Sequence, residues 1–368
     1  MTAESSADRR GGSRRPRRTG KGVGLALMAA VLFGASAPFA KLLLQGATPQ
    51  MLAGLLYLGS GGGLAVMWLR RRALKSAEAP LTRRDVPWLA GAVAFGGGLG
   101  PVLLMAGLVR TPASSASLLL NLEGVLTALL AWFLFRENFD RRIALGMVAI
   151  VTGGVAISWE GAVRWGGMVG PLAVAAACLC WAIDNNLTQK VSAGDPVQVA
   201  MLKGLVAGSV NTTIALALGA RWPTVPRVGA ALLLGFLSYG VSLVLFVVAL
   251  RHLGTARTAA YFSLAPFVGA AVSLGVFRER PTAFRAIGAA LMAVGVWLHL
   301  TERHEHEHAH EAIDHAHPHV HDIHHQHEHH VPDPPVTDPK PHTHPHRHTP
   351  VVHTHPHYPD IHHRHRHD

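Results

Sequence analysis

The sequence predicts an all-α integral membrane protein of ten transmembrane helices in two inverted five-helix repeats, followed by a disordered His-rich tail. Three observations predict it. Apolar segments run almost continuously between residues 22 and 300, room for about ten spans of roughly 20 residues joined by short loops. Only 15% of the 368 residues are charged, where ordinary soluble domains carry about 25%. The third is an internal repeat. Residues 118–146 read LLLNLEGVLTALLAWFLFRENFDRRIALG, an apolar helix, a charged corner and the start of another helix, and the pattern returns 142 residues later without a gap. Phe135-Arg136-Glu137 falls on Phe277-Arg278-Glu279, Gly146 on Gly288 and Gly153 on Gly295. A repeat of this size in so apolar a chain is the pattern of a transporter built from two homologous halves. Five spans per half is an odd number, so the halves must be inverted relative to each other.

The elements follow in order. Residues 1–21 are a basic arm with seven Lys and Arg and a disordered composition. The apolar run from Val23 with Ala35-Ser36-Ala37 has the outline of a signal peptide. It continues to Leu44, and its removal would take away part of one repeat, so we read it as an uncleaved first span. The spans read as 22–45, 50–69, 86–109, 112–135 and 142–159, then 167–188, 196–219, 227–250, 256–277 and 283–300. The domains are thus the arm, a first repeat at 22–159, a second at 166–300 and the tail at 301–368. Pro or Gly punctuates the junctions, as at Thr48-Pro49, Thr111-Pro112, Asp195-Pro196 and Trp222-Pro223. Glycines at 59, 61, 62 and 63 and at 96, 97, 98 and 100 suit close helix packing in lipid.

Charge orients the chain. Counted in alternate loops, 19 Lys and Arg fall on the side of the N-terminal arm and seven on the other, which puts both termini in the cytoplasm of a multi-pass inner (plasma) membrane protein. This clustering in short loops also explains the net charge of +11 without a nucleic-acid partner. The expected partners are membrane lipid and a small-molecule or ion substrate, with a homodimer allowed. Cys178 and Cys180 are two apart in an apolar run and cannot face each other on a helix, so they read as small core residues.

Short motifs carry a family resemblance over residues 22–300. They are Phe33-Gly34-Ala35-Ser36-Ala37-Pro38 with Lys41, Leu122-Glu123-Gly124-Val125 with Ala128-Leu129-Leu130, Phe135-Arg136-Glu137, and the second-half Trp181-Ala182-Ile183 and Leu264-Ala265-Pro266-Phe267. Together they resemble an EamA-type member of the drug/metabolite transporter superfamily. Where that family commonly has Pro after the fourth-span Glu this chain has Gly124, while Pro266 stands at the matching place of the second half. The resemblance implies ten helices in two inverted halves, a central cavity and secondary transport, often the export of small metabolites.

Polar groups inside spans need reasons, since an ionised residue at the bilayer centre costs roughly 2.5–3.5 kcal/mol. Glu123 lies near the middle of the fourth span; it either takes and releases a proton or cation during transport or ties two helices together, and the resemblance favours the first. Asp184-Asn185-Asn186 is the most unusual polar run in any span. Asp184 lies roughly 9 Å and Lys203 roughly 12 Å below the same surface at 1.5 Å per residue, on antiparallel spans. We expect these two to pair, with Asn185 or Asn186 facing the cavity. Lys41 near the outer end of its span either snorkels or joins the transport set. Asn121 and Asn211 are expected to hydrogen-bond across helices.

The tail holds 24 of the 26 histidines. They alternate at His304, His306, His308 and His310, again at His315, His317, His319 and His321, and continue at His324, His325, His327, His329 and His330. Without a hydrophobic face it should not fold alone. Neutral imidazoles at His-x-His spacing are ligands for Ni, Co or Zn, so this tail is expected to bind a divalent transition metal, which the transport body does not require. No nucleotide loop, nucleophile elbow or zinc-hydrolase spacing occurs, and an enzyme is not expected. The expectation is a secondary active exporter of a small polar metabolite or a divalent transition-metal ion; the competing reading is a membrane-anchored divalent-metal buffer or sensor that transports nothing.

Overall fold

The computed structural model describes residues 16–73, 81–135, 141–158, 165–189, 191, 195–253, 258, 261–280 and 282–301, with tail segments 305–310, 314–319, 342–347 and 351–356. The Arg136-Glu137 corner, Lys190 and His304, His321, His324, His325, His327, His329 and His330 lie outside the described residues.

The apolar runs form helices throughout. In chain order these are α1 (Pro16–Gly34), α2 (Ser36–Leu43), α3 (Pro49–Ala73), α4 (Val86–Ala92), α5 (Gly100–Arg110), α6 (Ala113–Leu119), α7 (Leu122–Phe135), α8 (Arg141–Ser158), α9 (Trp165–Gln189), α10 (Pro196–Ala217), α11 (Val225–Gly235), α12 (Ser242–Leu253), α13 (Ala265–Phe277) and α14 (Ala283–Leu300). Seven stretches among the described residues are long and apolar enough to cross a membrane, and Ala144–Ser158, Ala265–Phe277 and Ala283–Leu298 are shorter apolar helices. Large apolar side chains such as Leu69, Leu145, Val148, Val225 and Trp297 stay exposed, an outer surface suited to lipid tails.

Helices from before residue 160 pack on helices from after it: α3 on α10, α8 on α14, α5 on α9, α1 on α12 and α6 on α13. Glycine makes the closest of these contacts. A Cβ on Gly61 would strike the α10 backbone at Gly204 and Leu205, and one on Gly208 the α3 backbone at Leu58. On α8 and α14, Gly153 lies against the Gly288 carbonyl and Gly295 against the Gly146 carbonyl. These are the repeat-equivalent glycines, meeting reciprocally across two antiparallel helices. Such contacts supply dispersion and backbone proximity where lipid provides no hydrophobic drive.

Two departures from ideal helix sit at repeat-equivalent places. Residues Val93–Leu99, between α4 and α5, form a π-helical turn, and so do Phe236–Val241, between α11 and α12. The fourth span breaks between α6 and α7, and the residues before α13 break likewise at Ser263–Leu264. Gly124 in place of proline therefore does not spare the fourth span its break. Asn121 makes it instead: its Nδ2 donates to the Leu118 carbonyl at 2.9 Å, and the backbone tightens into i→i−3 bonds at Leu120, Asn121 and Glu123. Asn121 thus serves its own span and also donates across helices to the Met292 sulfur at 3.8 Å, the interhelical bond expected of it.

Four strands, β1 (Glu305–His310), β2 (Asp314–His319), β3 (His342–Arg347) and β4 (Val351–Pro356), pair antiparallel as β1 with β4 and β2 with β3. A period-two alternation of His with other residues is compatible with extended backbone, and ladder hydrogen bonds need no apolar side chains. His306, His308 and His310 fall on β1, and His315, His317 and His319 on β2.

Candidate functional site

The polar run on α9 divides between two neighbours because successive residues turn by about 100°. Trp181, Asp184 and Thr188 share one face by their i, i+3 and i+7 spacing. Asp184 is buried and receives Lys203 of α10, whose Nζ lies 2.6 Å from both carboxylate oxygens. Thr188 donates to the same carboxylate at 2.9 Å. The expected pairing of Asp184 with Lys203 is therefore present. Gly96 of the π-turn makes room for it: a Cβ there would overlap the Asp184 carboxyl group.

The π-turn releases carbonyls that the ordinary i→i−4 ladder would have used, and neighbouring helices satisfy them. The Gly96 carbonyl accepts from the Tyr57 hydroxyl at 2.7 Å and the Trp181 indole N–H at 2.9 Å. The Gly97 carbonyl accepts from Asn211 Nδ2 at 2.9 Å, and Asn211 Oδ1 accepts from Gln50 at 2.8 Å. Asn211 thus bonds across helices as expected. Lys203, Ala207 and Asn211 follow each other at four-residue spacing down the α10 face that covers this turn.

Asn185 points elsewhere. Its Nδ2 donates to Glu123 Oε1 at 2.9 Å and approaches the Thr127 hydroxyl at 3.4 Å; Glu123 and Thr127 are four apart on α7 and present one face. Asn186 is buried and donates to the Ala182 carbonyl at 2.8 Å and the Thr127 carbonyl at 3.4 Å. Of the two asparagines, Asn185 is exposed. Leu172 and Leu179, also exposed, mark the lipid side of α9, and Asn185 lies about 120° round the helix from them. Asn185 is therefore exposed on a side of α9 other than the one that carries Leu172 and Leu179, and Gly124 of α7 is exposed as well. Glu123 stands in the first turn of α7, where the positive end of a half-helix favours a carboxylate.

Lys41 is not part of this group. Its Nζ donates to the Thr111 carbonyl and lies 5.9 Å from the centre of the Phe277 ring. Thr111 precedes Glu123 by twelve residues along the fourth span, about 18 Å at helical rise. At that end Glu279 accepts from the Ala113 backbone N–H at 2.9 Å and from the Ser114 hydroxyl, and Arg285 lies 3.7 Å away. Sequence reasoning missed Tyr57, Thr127 and the role of Glu279. The uninterrupted Gly96-Gly97-Gly98 run was a signal for the π-turn. Cys178 and Cys180 are both buried and free. Among the described residues no group of three or more His, Cys, Asp or Glu is placed to hold a metal ion.

The model of the EamA-like transporter family matches residues 20–159 and again residues 168–301. The chain belongs to the EamA-like transporter family. This EamA-like chain is 28% identical over 289 residues to a protein of Methanothermobacter thermautotrophicus described as an uncharacterized transporter, covering 74% of this chain and 84% of that one. It is 22% identical over 204 residues to the uncharacterized transporter YyaM of Bacillus subtilis, covering 53% and 66% respectively. A crystal structure superposes with a TM-score of 0.56 at 18% identity, covering 76% of this chain and 96% of that one, which is a likeness of fold. The EamA-like chain is thus a multi-pass membrane transporter.

Proposed function

We propose that this transporter is a secondary active exporter of a small polar metabolite, working by alternating access between two inverted five-helix halves, with both termini cytoplasmic. The observation that carries the reading is the Glu123–Asn185 hydrogen bond at 2.9 Å, beside the exposed Gly124 at the break of a discontinuous span. Broken helices at mid-membrane expose backbone ends that bind substrates and coupling ions. Glu123 is the coupling carboxyl, Asn185 a substrate contact, and the Asp184–Lys203 pair with Asn186 holds α9 in place. The reciprocal Gly153–Gly288 and Gly295–Gly146 contacts support the inverted arrangement, because a two-fold relating them lies across the helices. A metal ion is the second candidate cargo, supported by the histidines of the tail, which we propose bind nickel, cobalt or zinc on the cytoplasmic side.

The test uses full-length protein in proteoliposomes under an imposed proton gradient, loaded with nickel, cobalt or zinc in one set and with labelled alanine or succinate in another. Flux of any of these that falls at least about tenfold in Glu123→Gln, with the fold retained, is the expected result. Metal binding by the tail with no flux in either set, together with unchanged cellular metal tolerance in Glu123→Gln, would instead establish the anchored buffer.

A further inference from the structure

The sequence assigns seven Lys and Arg to the face opposite the N-terminal arm, the face that the orientation rule leaves poor in positive charge. Three of them, Arg110, Arg280 and Arg285, line one cavity of about 610 Å³, and Lys41 makes a fourth cation in its wall. Glu279 is the carboxylate that lines it. That carboxylate is already engaged by the Ala113 N–H, the Ser114 hydroxyl and Arg285. Arg110 and Arg280 are exposed and form no ion pair among the described residues. A second cavity of about 400 Å³ adjoins the first and shares Arg110, Thr111 and Arg285 with it. Thr111 is buried, and its hydroxyl has no hydrogen-bond partner among the described residues.

Orientation in the membrane does not require this convergence, since charges scattered over the loops would orient the helices equally well. Four cations around one carboxylate leave the cavity electropositive, which repels a divalent cation and attracts an anion. Two guanidinium forks are suited to the paired oxygens of a carboxylate or phosphate. We propose that this cavity binds a carboxylate- or phosphate-bearing anion through Arg110, Arg280 and Lys41, with Thr111 behind them. If the transporter reading holds, the cargo crossing this mouth is an organic anion, and that consequence alone rests on that reading.

Binding tests the site without flux. Full-length protein in nanodiscs of zwitterionic lipid is titrated with inorganic phosphate and with succinate by calorimetry at fixed ionic strength. Saturable binding is expected, weakened at least about tenfold in Arg110→Gln/Arg280→Gln, the scale of lost charge-assisted hydrogen bonds, and unaltered in Arg72→Gln at the other end of α3. Among the described residues the two arginines carry no ion pair, so the variant should remain folded, which its melting curve verifies. A parallel arm in nanodiscs with phosphatidylglycerol identifies the source. Retention of that lipid by wild type, its loss from the double variant and its competition with phosphate would assign the site to a headgroup. No saturable binding of phosphate, succinate or phosphatidylglycerol overturns the proposal, as does binding that the double variant leaves intact. Binding without flux of phosphate or succinate would strike the anionic-cargo consequence and leave the site standing.

Discussion

Removing Lys203 should cost more than removing both members of its pair. The two Nζ–O distances of 2.6 Å correspond to a gross attraction of about 6 kcal/mol at an effective dielectric of 20, largely offset by desolvation of both ions. The side chains retain 17% exposure at Lys203 and 8% at Asp184. Lys203→Met therefore leaves a buried carboxylate with only the Thr188 hydroxyl at 2.9 Å, a loss of about 3–5 kcal/mol. Asp184→Asn is milder, about 2 kcal/mol, because the freed ammonium can extend its stem toward the end of its span. The double variant Asp184→Asn/Lys203→Met carries no stranded charge and should lie within about 2 kcal/mol of wild type. The coupling is then about 3 kcal/mol or more. Unfolding in mixed micelles titrated with dodecyl sulfate, followed by tryptophan fluorescence, measures all four proteins. Single losses that add to within about 0.5 kcal/mol in the double variant would refute the pair as an energetic unit.

Gly96→Ala should lower the same unfolding free energy by about 1–3 kcal/mol, since its methyl overlaps the Asp184 carboxyl group. Gly62→Ala, with open space around it, should be neutral or stabilising by up to about 1 kcal/mol; equal losses at both positions would contradict the packing argument. Nickel binding measured by calorimetry should be strong in the full chain at pH 7.5 and absent from a chain ending at Thr301. It should fade as pH falls below about 6.5, where protonation removes the imidazole lone pair; pH-independent binding would exclude the histidines as ligands.

How far the sequence disclosed this arrangement depends on which periodicity carried the information. The helical membrane architecture followed from apolar length, because lipid forces a spanning backbone to satisfy itself and so makes helices obligatory, and the family followed from short motifs paired by the 142-residue repeat. The Asp184–Lys203 pair was legible from depth alone, as two opposite charges at similar depths on antiparallel spans leave few cheaper solutions. Asn185 and Asn186 could not be told apart, for a single turn of about 100° decides which neighbour each meets, and neighbours are set by tertiary packing. The broken fourth span was misplaced in emphasis. The fourth span breaks at Asn121 rather than through Gly124, and the same Asn121 amide also reaches the Met292 sulfur across the interface. The same lesson covers the glycines. Gly96, Gly97 and Gly98 were read as packing surface, and Gly96 and Gly97 are, whereas Gly98 meets only its own turn; the turn also frees two carbonyls, and the side chains that answer those carbonyls come from α3, α9 and α10. A glycine run in a span thus marks a place where other helices donate to backbone. In this transporter that place lies directly behind Asp184, so the π-turn and the ion pair fix each other.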